Sequence, residues 1–407
     1  MLATLIPLFD KNMIVRSYSI VAQRDDLLRD AIKGSSGRWD SAMSVEGVEV
    51  LQSMGLKTLT DDREVFIPVS NVSLFTDIKG QGANAPEKVV LIIDHYVEPT
   101  EKYIERVKQL KEQGFRFAAK NIPLNQVGDY KPIMDMMEYV FLNHHQVDIE
   151  KARRLFHTIF PNLKLVAEDV ATPEEYEKLV GIGGFDYYEG EFFRIPKKGQ
   201  DIELAPLKMT YLELIRIVNK PDFDLTTAAD VIGKDPALVV ELLKIVNRMT
   251  VNSGIKSIRN AAAMLGQEEL KRWINTAVTK ELCADRPSEI TRLSMIRARF
   301  AELLAPVFGL ESMSQELFMM GLFSVLDIVL QKPMAEVLET ISLSKPITDA
   351  LLTGEGKMAE VLNFIKAYED ASWMEVCRQM LLKDITMKDV YPVYLDALSW
   401  YRDLVSL

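Results

Sequence analysis

Cysteine is nearly absent: Cys283 and Cys377 are the two in a chain of 407 residues. Two thiols so far apart exclude a disulfide framework and a cysteine-built metal site, and they read as reduced, buried side chains. Histidine is also scarce, with His95, His144, His145 and His157. His144 and His145 are neighbours, so on a strand or turn they point in different directions and do not chelate together easily, and no Cys or His pair has zinc-like spacing. The four histidines read as surface or structural residues, and no metal or other cofactor is expected. Basic residues are in deficit, 48 Lys and Arg against 59 Asp and Glu, for a formal net charge of −11. That balance argues against a nucleic-acid backbone binder. No uninterrupted apolar run approaches the ~20 residues of a membrane helix. The richest stretch, Leu317–Leu330, is broken by Ser324 and Asp327. Residues 1–10 are apolar but have neither a basic leader nor a small-residue cleavage site, so a cytoplasmic protein is expected. Gly181-Ile-Gly183-Gly184 lacks the downstream Lys-Ser/Thr of a phosphate loop, and no serine sits in a nucleophile elbow.

What is present is ordinary globular material, 48% hydrophobic and 26% charged, in a length that calls for two domains. Up to residue 200, short apolar runs alternate with amphipathic stretches. Strands are predicted at Val65–Val69, Val89–Asp94, Phe115–Ala119, Tyr139–Asn143, Leu163–Ala167 and Phe185–Tyr188. Helical patterns lie between them at Tyr103–Gln113, Ile149–Phe160 and Pro173–Leu179. This β-α-β-α rhythm argues for a parallel sheet, open or closed into a barrel. From about residue 204 only helical periodicity remains. Asp224 and Asp235-Pro236 are helix starts, Ser257 opens a helix ending near Gly266, and Pro221 and Gly233 are stops. Further helices are predicted at Ser288–Phe308, Ser314–Leu330, Ser344–Leu352, Lys357–Asp370 and Lys388–Leu404. The expected division is 1–200 and 201–407, with Lys197–Gly199 as the linker, either rigid or hinged. The pair Leu225–Ile232 and Asp235–Asn247 has a helix-turn-helix outline, but its apolar second helix reads as packing rather than as a DNA reader.

The second half carries a specific resemblance. Asp222-Phe-Asp-Leu, Ile232-Gly-Lys-Asp-Pro-Ala-Leu238, Leu242-Leu243-Lys-Ile-Val-Asn247, Ile258 and Ala261 to Leu265-Gly266 are, in order and spacing, similar to an HDOD domain. That group resembles HD-type phosphohydrolases without their catalytic residues. Phe318-Met-Met-Gly321-Leu-Phe-Ser-Val325 falls where an active HD enzyme carries its metal-binding His and Asp, so Ser324 and Val325 occupy the degenerate HD position.

The first half resembles a degenerate EAL-type cyclic di-GMP phosphodiesterase, and the two halves together resemble EAL–HDOD signalling proteins. The match rests on Ile6-Pro-Leu-Phe-Asp10, Val166-Ala-Glu-Asp-Val170 with Thr172, and Gly184-Phe-Asp-Tyr-Tyr-Glu-Gly190 with Phe192, Phe193 and Pro196. It implies a TIM-like (β/α) barrel with its chemistry at the C-terminal strand ends. The family's functional positions depart from pattern. Ser19 stands for a metal-binding glutamate, Gln23 for a phosphate-binding arginine, Pro68 for an asparagine and Ile92 for another glutamate. Lys120-Asn121 replaces an aspartate pair, Phe141 a lysine, Asn143 an acid, Ala171 a second acid and Glu189 a glutamine, while Glu168 persists. One glutamate does not hold two magnesium ions, so no phosphodiesterase activity and no enzyme is expected.

These readings imply a non-catalytic signalling adaptor that docks protein partners, with a homodimer through the EAL-like domain. The alternative is a non-hydrolysing receptor holding cyclic di-GMP or a related nucleotide in a vestigial pocket of Ser19, Gln23, Lys120, Asn121, Asn143, Glu168 and Glu189. Lys120 is expected to compensate Glu168 in place of the missing metal charge, or else to extend into solvent.

Overall fold

The computed structural model describes residues 1–24, 28, 45–82, 85–196, 206–220, 223–249, 257–341 and 343–405. The expected linker Lys197–Gly199, the helix stop Pro221 and Asp222 lie outside them. The chain forms two compact units, residues 1–195 with 364–407, and residues 196–363. A single cut near residue 200 therefore needs correction, because the last helices return to the first unit.

The first unit is a closed eight-stranded barrel. Its strands are β1 (Leu2–Phe9), β2 (Val15–Gln23), β3 (Glu64–Pro68), β4 (Val89–Asp94), β5 (Arg116–Lys120), β6 (Tyr139–Asn143), β7 (Lys164–Glu168) and β8 (Tyr187–Glu189). From β2 to β8 the neighbours are parallel, as the rhythm of apolar runs requires. β1 is antiparallel to both β2 and β8. β1 and β2 escape the sequence reading because a tight turn joins them rather than a crossover helix. Asp10 shapes that turn, its carboxylate accepting the N–H groups of Asn12 and Ile14 at 2.8 and 3.1 Å. With no crossover helix of its own, β1 packs against the C-terminal helix Met387–Val405. The Ala3 N–H donates to the buried Tyr368 hydroxyl at 3.2 Å.

Between the parallel strands run the helices Glu101–Glu112, Ile149–Ile159 and Pro173–Ile182. The last two start on side-chain caps, from Asp148 to the Lys151 N–H and from Thr172 to the Glu175 N–H.

The second unit is all helical among its described residues. The Asp224 carboxylate accepts the N–H groups of Thr226 and Thr227 at 3.2 and 3.0 Å. The buried Asp235 accepts from the Ala237 N–H at 2.8 Å and from the Tyr211 hydroxyl at 2.7 Å. The helix opened by Ser257 does turn at Gly266, where φ is +76°, and then resumes to Leu282. The expected helix Ser314–Leu330 breaks at Ser324–Val325 into Ser314–Phe323 and Leu326–Leu330. Gly321 lets the first piece lie against the backbone of Arg297 and Ala298, where an added Cβ would meet atoms at 2.6–2.7 Å. The stretch Glu311–Leu330 is long and apolar enough to cross a membrane by length and composition, yet most of it is buried inside the structure.

Candidate functional site

Strand alternation explains how the barrel interior is built. Successive side chains point to opposite faces, so residues two apart share the inward face. Reading each strand in steps of two gives Arg116-Ala118-Lys120, Tyr139-Phe141-Asn143, Lys164-Val166-Glu168 and Tyr187-Glu189. The middle positions join a buried apolar cluster of Leu8, Phe66, Val90, Ile92, Ala118, Tyr139, Phe141 and Val166. Polar groups are displaced to the two ends, the floor where parallel strands start and the mouth where they finish.

At the floor the charges are matched. Arg116 reaches Glu64 at 2.5 Å and Glu138 at 2.6 Å, and the hydroxyls of Tyr139 and Tyr187 donate to Glu64 at 3.0 and 3.2 Å. Burial and the neighbouring Glu64 carboxylate push the Tyr187 phenol up to about 12.

The mouth opens into a cavity of about 480 Å³ whose lining includes Lys120, Asn121, Asn143, Glu168, Asp169, Glu189 and Arg194, with Glu369 and Asp370 from the returning C-terminal segment. The Lys120 ammonium lies 2.5 Å from the Glu168 carboxylate and 5.8 Å from the centre of the Phe141 ring. Glu168 is 5% exposed at its side chain and Lys120 37%, so the pair joins a buried acid to a cation that still reaches the cavity. Burial works against the charged form of Lys120, but the carboxylates of Glu168, Glu189 and Asp94 outweigh it and raise its pKa. Glu189 is pushed up to about 7 by burial, reinforced by Glu168 and Asp169 and opposed by Lys120.

Three of the strand ends are followed by a residue of positive φ: Asn121 at 57°, Asp169 at 61° and Gly190 at 150°. Asn and Asp tolerate the left-handed region better than most residues, so they sit where the chain must turn sharply off the barrel. Gly190 has a stricter reason, since a Cβ there would meet the Val170 carbonyl oxygen at 2.2 Å. The two polar side chains also tie neighbouring strand ends together. Asn121 donates to Asp94 at 2.7 Å, and Asp169 accepts from Asn143 at 3.2 Å.

Of the residues expected in the pocket, Lys120, Asn121, Asn143, Glu168 and Glu189 line this cavity, whereas Ser19 and Gln23 do not. Ser19 is buried in β2 opposite Ile6, and Gln23 ends that strand opposite Leu2. Ser324 donates to the Gly321 carbonyl at 2.7 Å and accepts from Arg297 at 2.8 Å, and Val325 is fully buried; both belong to helical packing. Sequence reasoning passed over Asp94, whose strand-end position follows from counting two residues past Ile92. It also passed over Glu369 and Asp370, assigned to the other domain, although Asp370 contacts Arg194 directly.

The histidine pair departs further from expectation. His144 and His145 lie beyond the last residue of β6, so strand alternation does not apply to them. Their rings lie tilted by 39° with centroids 3.9 Å apart, and both turn toward Glu175. In the helical unit a smaller cavity of about 150 Å³ is lined by residues including Asn219, Arg272, Phe318 and Met319. Arg272 is already engaged there by Glu302 at 2.6 and 2.8 Å.

The mouth does not fit the magnesium pair that the EAL resemblance implies. A lysine ammonium directly occupies the Glu168 carboxylate, where a divalent cation would compete with a fixed positive charge.

Comparison with known proteins places an HDOD domain at residues 204–349. The chain is 25% identical to YuxH of Bacillus subtilis over 411 residues, 98% of each protein. It is 26% identical to the cyclic di-GMP phosphodiesterase CdgJ of Vibrio cholerae over 326 residues, 79% of this chain and 75% of that one. Among solved structures it is similar to an EAL domain protein of Listeria monocytogenes, at 15% identity and a TM-score of 0.35, over 47% of this chain and 86% of that one. The expectation that the chain is no enzyme is thereby overturned. A relative matched along most of both chains bears an enzyme's name, and the replaced strand-end residues do not carry the opposite conclusion.

Proposed function

We propose that this chain works in cyclic di-GMP signalling and engages the nucleotide at the mouth of its barrel. The likeness to CdgJ supports the ligand class. The observation that carries the proposal is the Lys120 ammonium, held over the cavity by Glu168 and partly exposed to it. An ammonium has three donors, so one can stay on Glu168 while another meets a phosphodiester oxygen. Glu189, with its carboxyl near 7, offers a second donor to an anion whenever it is protonated. The cavity volume falls within the ~300–1,000 Å³ common for small-molecule sites.

Calorimetric titration with cyclic di-GMP tests the proposal. Saturable binding is expected, weakened at least tenfold by Lys120→Ala. Absence of heat and of any thermal shift in the parent protein would overturn it. Chromatography of the same samples reads whether linear dinucleotide accumulates, and so whether engagement proceeds to hydrolysis.

A further inference from the structure

The paired histidines present a second arrangement, one that the nucleotide reading does not use. His144 Nδ1 lies 3.2 Å from the main-chain carbonyl oxygen of Glu168. A carbonyl only accepts, so Nδ1 carries the proton, and in the neutral ring Nε2 presents a lone pair. That lone pair faces the Glu175 carboxylate oxygen at 3.2 Å, and His145 Nε2 faces the same oxygen at 3.8 Å. Acceptors facing one another at this distance repel unless a cation lies between them. One proton on an imidazole would satisfy one contact, whereas a single metal ion would satisfy both.

The geometry suits the second choice. The three ligand atoms lie within 4.8 Å of one another, the one such group of His, Cys, Asp and Glu among the described residues. Tetrahedral zinc with bonds of about 2.0–2.1 Å places its ligands about 3.3 Å apart. The supporting contacts are also those of a metal site. An imidazole ligand normally donates its other ring nitrogen to a carbonyl or carboxylate, as His144 does. Glu175 is fixed by the Ala171 N–H at 2.8 Å, and its own N–H donates to the Thr172 hydroxyl at 3.2 Å. Access is open, since the side chains of His145 and Glu175 are 47% and 30% exposed.

We infer that His144, His145 and Glu175 form a site for one divalent metal ion of zinc type, with a fourth position open to solvent. Borderline-soft ions match two imidazoles and a carboxylate, whereas magnesium, which prefers oxygen ligands, does not. The ion would tie the loop after β6 to the start of the helix Pro173–Ile182, beside the strand end that carries Glu168. This assignment stands whether or not the mouth binds a nucleotide.

The test uses the full chain stripped with a chelator, then titrated with Zn²⁺ against a chromogenic competitor and with Co²⁺ followed by its visible absorption. The parent is expected to bind one equivalent and to show Co²⁺ bands of imidazole coordination. His145→Ala, at an exposed side chain, and Glu175→Gln, which still offers an acceptor to the Ala171 N–H, should each weaken Zn²⁺ at least tenfold and remove the bands. His157→Ala should leave both readouts unchanged. No stoichiometric binding by the parent would overturn the assignment, and so would undiminished binding by either His145→Ala or Glu175→Gln.

Discussion

The two ends of the barrel are built from the same inward-facing stripes, with an apolar layer between them, yet their charges are handled in opposite ways. At the floor, Arg116 meets both Glu64 and Glu138, the hydroxyls of Tyr139 and Tyr187 donate to Glu64, and Lys164 donates to the Tyr139 hydroxyl. At the mouth, Lys120 and Arg194 face Glu168, Asp169, Glu189, Glu191, Glu369 and Asp370. Matched charges with satisfied hydrogen bonds hold a structure in one arrangement. Surplus acids around a single reachable ammonium leave electrostatic work undone, and a ligand or a proton can complete it. Barrels place stability at the N-terminal face of their strands and chemistry at the C-terminal face, and the charge balance here follows that division.

The largest effect should come from breaking the floor. Arg116→Ala leaves Glu64 and Glu138 without their cation, and urea denaturation should register a loss of about 3 kcal/mol, the scale of charged hydrogen bonds. Binding at the mouth should survive in the fraction that stays folded, so a large loss of affinity with intact stability would erase the contrast between the two ends. Lys120→Ala should show the reverse weighting. Its cost is about 1–2 kcal/mol, because the ammonium is partly solvated, while affinity for the nucleotide falls at least tenfold. A variant as stable as the parent would mean that Lys120 does not compensate Glu168.

Glu189→Gln sharpens the comparison through pH. The folded carboxyl titrates near 7, above its ordinary 4.5, so the folded state binds the proton more tightly than the unfolded chain does. Its contribution to stability is therefore complete below about 4.5 and is lost as pH rises through about 7. The parent should become less stable over that interval by on the order of 3 kcal/mol, and Glu189→Gln should flatten this part of the profile. Equal slopes in the two proteins would remove Glu189 from the account. The smallest effect is expected at Arg194→Ala. Asp370 is raised by burial even with Arg194 beside it, so the pair contributes little, and a change below about 1 kcal/mol should be seen in thermal melts.

The sequence carried the barrel where physics is local and the site where position on a strand matters. Continuous apolar runs such as Val89–Asp94 and Tyr139–Asn143 announced strands buried on both faces, and the observed spans coincide with them. β1 and β2 were missed because a hairpin interrupts the β-α rhythm on which the reading depended. The helices Met334–Thr340 and Trp373–Leu382 were passed over, the second lying in the segment that returns to the barrel. Helical periodicity reports an apolar face but not which unit that face packs on, so nothing local assigned Glu369 and Asp370 to the mouth. Lys120 and Glu168 were legible as neighbours because both end parallel strands. His144 and His145 were expected to point in different directions, and both face Glu175 because the chain turns just past the end of β6.

The most direct test is calorimetric titration of cyclic di-GMP into the parent and Glu189→Gln at pH 6 and pH 8. Surplus acid at the mouth predicts saturable binding by the parent that tightens about tenfold at the lower pH, as Glu189 takes up its proton, and binding by Glu189→Gln that scarcely changes. Binding absent at both pH values, or a pH dependence identical in the two proteins, would contradict the claim that the mouth is the working end of this barrel.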